Sequence, residues 1–166
     1  MLEIKGRTVV ITGGATGIGF GIAKACGSLG ANVVIGEPRE NRLDEAVASL
    51  EDLGVDARAF SLDVTNAEQF AQFADSAFAA YGDVVLVVNN AGVGQQRGSV
   101  VDTAETEMQR VMAVNFQGVW RGCQLFGGRL IAQGTPAAIY NTGSENSFFI
   151  AVSHSAAYVA SKHAVW

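Results

Sequence analysis

Charge is scarce in this sequence. Asp, Glu, Lys and Arg make up 16% of its 166 residues, against roughly 25% in an average domain. The 11 basic residues are outnumbered by 16 acidic ones, for a net charge of −5, and no run of Lys and Arg exceeds a pair. Phosphate neutralisation needs a basic stripe, so neither nucleic acid nor an anionic membrane surface is an expected partner. The longest strongly apolar run, 84–88, is far short of the roughly 20 residues of a membrane span. Residues 1–6 lack a basic cluster followed by an apolar stretch, so no secretory leader is expected. The two cysteines, Cys26 and Cys123, stand alone without metal or disulfide spacing. They read as packing residues of a protein in the reducing cytoplasm. The only histidines are His154 and His163, and no serine sits in a Gly-x-Ser-x-Gly elbow. Serine hydrolase and zinc chemistry are excluded on those counts, and no metal is expected.

Glycine, by contrast, is plentiful at 20 residues, and it punctuates a regular pattern. Five β-branched or apolar runs, at 8–11, 32–35, 57–62, 84–88 and 137–140, read as buried parallel strands. Helical spacing lies between them. Ile18, Ile22, Ala25, Cys26 and Leu29 make one apolar face closed by Gly30, and Leu43, Ala46, Val47, Leu50 and Leu53 make the next, closed by Gly54. Thr65 with Glu68 reads as a capping box before Phe70, Ala74, Ala77, Phe78 and Tyr81. Residues 103–133 read as mostly helical, with Gly118 and Gly122 one turn apart where a close approach fits; a break near Asn115 is left open. Alternating strand and helix, with no repeat or linker, predict one α/β domain over 1–166 built as a doubly wound parallel sheet.

In such folds, ligands sit at the carboxyl ends of the strands. The segment Thr12-Gly-Gly-Ala-Thr-Gly-Ile-Gly19 lies just past the first strand. Gly13, Gly17 and Gly19 let backbone N–H groups and a helix N-terminus approach a pyrophosphate. Their spacing is neither G-x-G-x-x-G nor a nucleoside-triphosphate loop. A glycine cluster alone can also serve merely to pack a helix on a sheet, the less favoured reading, so the surroundings decide. The second strand ends at Glu37, about 20 residues on, where a carboxylate can accept from a ribose diol and repel a 2′-phosphate. Thr16, rather than a basic residue, precedes Gly17, and Pro38 follows Glu37. Arg39 points the other way, but reads as a solvated charge at a helix start. NAD is therefore favoured over NADP.

Taken together, 12–19, Asn89-Asn90-Ala91-Gly92, Asn115, Ser144 and Tyr158-Val-Ala-Ser-Lys162 resemble the short-chain dehydrogenase/reductase family over essentially the whole chain. The resemblance implies a Rossmann-like fold and hydride transfer between a nicotinamide cofactor and a secondary alcohol or ketone. It implies that the loop with Gly13, Thr16, Gly17, Ile18 and Gly19 holds the pyrophosphate. Glu37 would hold the adenosine ribose, and Asp63 and Val64 would border the adenine. Asn90, Ala91 and Gly92 would line the cleft. Tyr158 and Lys162, four apart, share a helix face, where an ammonium favours the phenolate. By resemblance Tyr158 exchanges the proton, Ser144 holds the reacting oxygen, Lys162 also binds the nicotinamide ribose, and Asn115 holds a relay water. Ser144 lies 14 residues before Tyr158, one more than the family commonly shows. Ser147 is nearer but lacks a preceding strand end, so Ser144 is the choice.

Around this set, His154 reads either as substrate-facing or as a solvated loop residue, the second preferred. Phe148, Phe149 and Ile150 read as a substrate wall or, by preference, as core. The sequence ends at Trp166, whereas family members continue through two more strands and a substrate-covering segment, so those C-terminal strands are expected to be missing and the fifth strand to be an edge. The resemblance further implies a homodimer or homotetramer joined through the long helix before that strand and the helix bearing Tyr158. Two other readings stand beside an NAD-dependent enzyme: an NADP-dependent reductase, and a truncated cofactor-binding remnant without catalysis. The small-molecule substrate, whether steroid, sugar, polyol or acyl, stays open.

Overall fold

A computed structural model describes residues 2–149 and 154–166. Five parallel strands, β1 (Thr8–Thr12), β2 (Asn32–Glu37), β3 (Ala57–Ser61), β4 (Val84–Asn89) and β5 (Ala138–Asn141), lie in the order β3-β2-β1-β4-β5. Helices α1 (Gly17–Ser28), α2 (Glu40–Glu51), α3 (Ala67–Tyr81), α4 (Glu105–Met112) and α5 (Gly118–Gln133) form the crossovers, and α6 (Ala156–Val165) follows β5. The doubly wound, Rossmann-like reading holds.

Strand alternation explains the two-sided core. Val9, Ile11, Val33 and Ile35 face α1 and α2, with Ala23, Cys26, Leu43, Ala46 and Leu50 packed on them. Val10, Val34 and Val87 face α3 and α5, with Phe70, Phe73, Ala77, Phe126 and Leu130. Phe126 is edge-on to both Phe70 and Phe73 at ring separations of 6.4 and 6.2 Å, a geometry that adds to the area each ring buries. β1, covered on both faces, is buried at every residue, as a central parallel strand must be. β5 is partly exposed, and Tyr140 keeps 63% of its surface.

Three local expectations need correcting. The buried stripe of α1 is Gly19, Ala23 and Cys26, with Ile22 partly buried on the same core; of the expected face, Ile18 and Leu29 are instead 70% and 65% exposed. Small residues win because they let the helix approach the sheet closely. Leu53, expected on the second helix, lies past the end of α2 and is likewise exposed. The cap of α3 is Asn66, whose side chain accepts from the N–H groups of Glu68 and Gln69. Thr65 instead donates its hydroxyl to Asp63. Gly30 and Gly54 do follow their helices with φ of +85° and +74°. The interruption near Asn115 is one π-helical turn, Ala113–Gln117, between α4 and α5.

The close approach expected at Gly118 and Gly122 is present. A Cβ on Gly122 would fall 2.1 Å from Asn89 Oδ1, in the buried polar end of β4, whereas one on Gly128 meets nothing within 4 Å. Gly122→Ala should therefore lower stability by ~1–3 kcal/mol through overpacking. Gly128→Ala in the same helix should be neutral or stabilising by up to about 1 kcal/mol. Urea-denaturation midpoints of the two variants check the contrast.

Candidate functional site

The chain order places β1 and β4 side by side with their crossovers departing in opposite directions, and that switch point opens a crevice at the strands' carboxyl ends. The crevice has a volume of about 500 Å³. Gly13, Thr16 and Ile18 from the first loop line it, with Glu37, Pro38 and Arg39 from the end of β2, Leu62, Asp63 and Val64 after β3, Asn90 to Val93 after β4, and Val114 from the π turn. Of the expected cofactor residues, Gly13, Thr16, Ile18, Glu37, Asp63, Val64, Asn90, Ala91 and Gly92 are all here. Gly17 and Gly19 are not among the lining residues. Gly17 turns the chain at φ +54°. Gly19 is buried beneath the loop, where a Cβ would sit 2.2 Å from the Gly13 carbonyl oxygen and 2.5 Å from Asn90 Nδ2. Its work is packing rather than contact.

Thr16 stands at the cap of α1 without a side-chain capping bond, and the first turn carries no acidic residue, an arrangement that suits an anion at the helix N-terminus. The crevice floor is held by a clasp between strands. Asn90 Nδ2 donates to the carbonyls of Thr12 and Gly13, both at 3.1 Å, and Thr12 Oγ1 accepts from the N–H groups of Asn90 and Ala91, both at 3.0 Å.

At the far end of β2, Glu37 is buried and accepts from Arg39 Nε at 2.5 Å. Arg39 also reaches Thr16 Oγ1 at 3.4 Å, and the carboxylate holds its guanidinium above the ordinary arginine value. Arg39 is exposed at the start of α2, as expected, and in addition pairs with Glu37 and reaches Thr16 across the crevice mouth. Val64 is fixed from behind, because Arg121 of α5 donates to its carbonyl and Gly118 leaves room for its side chain.

Beyond Gly92 the second group of expected residues gathers. A Cβ on Gly92 would lie 3.5 Å from Asn115 Oδ1 and 3.8 Å from Lys162 Nζ. Asn115, fully buried in the π turn, accepts from Val93 N at 2.8 Å and donates to the Val93 carbonyl and to Ser161 Oγ, both at 3.0 Å. Lys162 donates to the Thr142 carbonyl at 2.8 Å, and its Nζ lies 5.9 Å from the centre of the Tyr158 ring. Burial holds its ammonium below the ordinary value of 10.5. α6 packs against the 3-10 turn Glu145–Ser147. Ser144 starts that turn, its Oγ accepting from Asn146 N while its own N–H is taken by Ser147 Oγ. Among the described residues, no hydrogen bond joins the Ser144 and Tyr158 hydroxyls.

Phe148 and Phe149 are each 59% exposed, which overturns their reading as core; Phe148 packs on Trp166. Ile150 lies outside the described residues. His154 is exposed, at φ +60°. Sequence reasoning missed the structural parts of the site: Thr12 as an acceptor, Thr142 as the lysine's partner, and Ser161 behind Asn115. Only Thr12 carried a signal, as the polar end of a β-branched strand. No group of three or more His, Cys, Asp or Glu among the described residues could hold a metal. No helix among them is long and apolar enough to cross a membrane.

The family model for short chain dehydrogenases matches residues 7–166. This chain belongs to that family. It is 34% identical over 164 residues to C alpha-dehydrogenase of Sphingobium sp. strain NBRC 103272 / SYK-6, covering 97% of this chain and 54% of that protein. Among solved structures it resembles a short chain dehydrogenase/reductase from Burkholderia phymatum in complex with NAD, at TM-score 0.95 and 34% identity over 99% of this chain and 58% of the other. It also resembles a metagenomic short-chain oxidoreductase in complex with NADP, at TM-score 0.90 and 31% identity over 98% and 73%. The short-chain dehydrogenase chain described here thus spans little more than half the length of the Sphingobium relative.

Because burial lowers the pKa of Lys162 in the folded chain, the unfolded chain keeps that proton to higher pH. Stability should rise with pH as pH climbs towards 10.5. In ¹³C-lysine NMR, one resonance, lost in Lys162→Met, should titrate below the others, and Lys162→Met should flatten the alkaline rise in denaturation midpoint.

Proposed function

We propose that this protein transfers a hydride between NAD(H) and a secondary alcohol or ketone, with Ser144, Tyr158, Lys162 and Asn115 as its working group. The observation that carries the reading is the junction at Gly92, where the nucleotide crevice ends against Asn115 and Lys162, with the Tyr158 ring beside the lysine. A mononucleotide crevice that leads into a buried cation and a phenol suits proton exchange coupled to hydride transfer. The nicotinamide, when bound, supplies the hydride acceptor or donor.

The residues divide the remaining work. Tyr158 takes the alcohol proton in oxidation, or gives it in reduction. The buried Lys162 ammonium, tied to the Thr142 carbonyl, favours the phenolate electrostatically and binds the nicotinamide ribose. The Ser144 hydroxyl donates to the reacting oxygen as charge develops there. Asn115 holds the relay water. Gly13, Thr16, Gly17, Ile18 and Gly19 form the pyrophosphate loop. Glu37 holds the adenosine ribose diol, and Asp63 and Val64 border the adenine. A cytoplasmic homodimer or homotetramer joined through α5 and α6 belongs to the same reading.

A second reading has one specific observation behind it. Arg39 sits over Glu37 and reaches Thr16, so a rotation of its guanidinium would meet a 2′-phosphate, as an NADP-dependent reductase requires. The buried Glu37 carboxylate opposes that phosphate, and NAD is the favoured cofactor.

NADH fluorescence titration should show binding at least ~10-fold tighter than NADPH, since one misplaced charge readily costs a tenfold; a clear NADPH preference would overturn the role given to Glu37. Tyr158→Phe should lower ketone turnover by ~10²–10⁴-fold, with NADH affinity nearly unchanged. Retained turnover in that variant would sink the assignment, and NADH binding with no turnover in the unaltered protein would mark a cofactor-binding protein without catalysis.

A further inference from the structure

Helix α6 carries both Tyr158 and Lys162, so its placement sets where the phenol stands relative to the crevice. A helix begins with N–H groups that lack intrahelical partners, and a serine at the cap position normally accepts from them. Ser155 occupies that position, yet its side chain makes no capping bond. The acceptor comes from 62 residues away: Gln95 Oε1 receives the N–H of Ala157 at 2.7 Å and that of Tyr158 at 3.1 Å.

The amide of Gln95 has one possible orientation. Its oxygen must face two N–H donors, and its Nε2 donates to Thr103 Oγ1 at 3.2 Å, a hydroxyl that in turn donates to the Ser99 carbonyl at 2.8 Å. Its backbone is pinned on both sides. Asn115 exchanges two hydrogen bonds with Val93, Arg110 donates to the Gly94 carbonyl at 2.8 Å, and Gln96 N donates to Glu107 Oε1 at 2.8 Å. Arg110 and Glu107 are themselves paired at 2.8 Å. Further on, Gly98 N donates to the His154 carbonyl at 3.1 Å. The segment that leaves the crevice wall at Gly92 is thus a fixed strap, and Gln95 is the point at which it grips α6.

We propose that Gln95 is a positioning residue for the reaction: it supplies the N-terminal cap of α6 from the crevice wall and so sets the Tyr158 phenol in register with the cofactor. The kinetic half of this proposal rests on the oxidoreductase reading above; the capping half does not. Gln95 touches neither the reacting atoms nor the lining of the nucleotide crevice, so its effect belongs in kcat rather than in cofactor affinity.

The test compares Gln95→Leu, which keeps bulk and loses the acceptor, with Gln95→Glu, which keeps two acceptor oxygens, and with Ser155→Ala as the local control. Amide hydrogen exchange is read first. Gln95→Leu should speed exchange at Ala157 and Tyr158 by ~10-fold or more, whereas Gln95→Glu and Ser155→Ala should leave it near the unaltered rate. In ketone reduction with NADH, Gln95→Leu should lower kcat by ~10–100-fold with the KM for NADH within about 2-fold, since small displacements of reacting groups are costly. Gln95→Glu should recover most of that loss. Unchanged exchange in Gln95→Leu, loss of protection in Ser155→Ala, or a Gln95→Glu variant as impaired as Gln95→Leu would each overturn the proposal. The expected exchange pattern in a protein that reduces no ketone would confirm the cap and reject the oxidoreductase reading instead.

Discussion

The clasp between the ends of β1 and β4 is the constraint on which the site depends. Two neighbouring parallel strands leave unpaired backbone groups where their chains diverge, and burial makes such groups expensive. Thr12 and Asn90 satisfy them reciprocally, the hydroxyl accepting two N–H groups and the amide donating to two carbonyls. Held this way, the loop after β1 and the segment after β4 cannot drift together, and the crevice between them stays open. Gly19 completes the arrangement by letting α1 rest directly on the clasp, beneath the loop rather than in the crevice.

The two ends of the crevice are governed by different physics. At the β2 end, a buried carboxylate, its arginine and a threonine hydroxyl form an exposed polar gate, where charge dominates. At the other end, Asn115 and Lys162 are buried among backbone carbonyls and hydroxyls, where desolvation strengthens each polar contact. α5 serves both: Gly118 and Arg121 steady Val64 at the first end, and the π turn at its start carries Asn115. A π turn widens the helix by one residue, which lets the amide of Asn115 bond both sides of Val93.

The strands were readable because a central parallel strand is buried on both faces, leaving an unbroken β-branched run such as 8–11 or 84–88. The helices were readable in extent but less so in facing. In α1 the large apolar residues Ile18 and Leu29 are exposed and the buried stripe is Gly19, Ala23 and Cys26, because closeness of approach, not side-chain size, chose the face. Asn66 rather than Thr65 caps α3, since Thr65 is taken up by Asp63. Phe148 and Phe149 looked like core and are exposed, as nothing in a run of three apolar residues says what covers it.

The sequence alone determined the succession of strands and helices along the chain, the glycine loop, and most of the residue types that line the crevice, because each depends on local geometry or on spacing within one element. Tertiary structure decided how those pieces join. Arg39 paired with Glu37 and reached Thr16, Lys162 found the carbonyl of Thr142, and Gln95 displaced Ser155 as the cap of α6. Each of these is a hydrogen bond whose partner is chosen by proximity in the folded chain. Where several polar groups of equal strength compete, proximity, which no linear pattern encodes, settles the pairing.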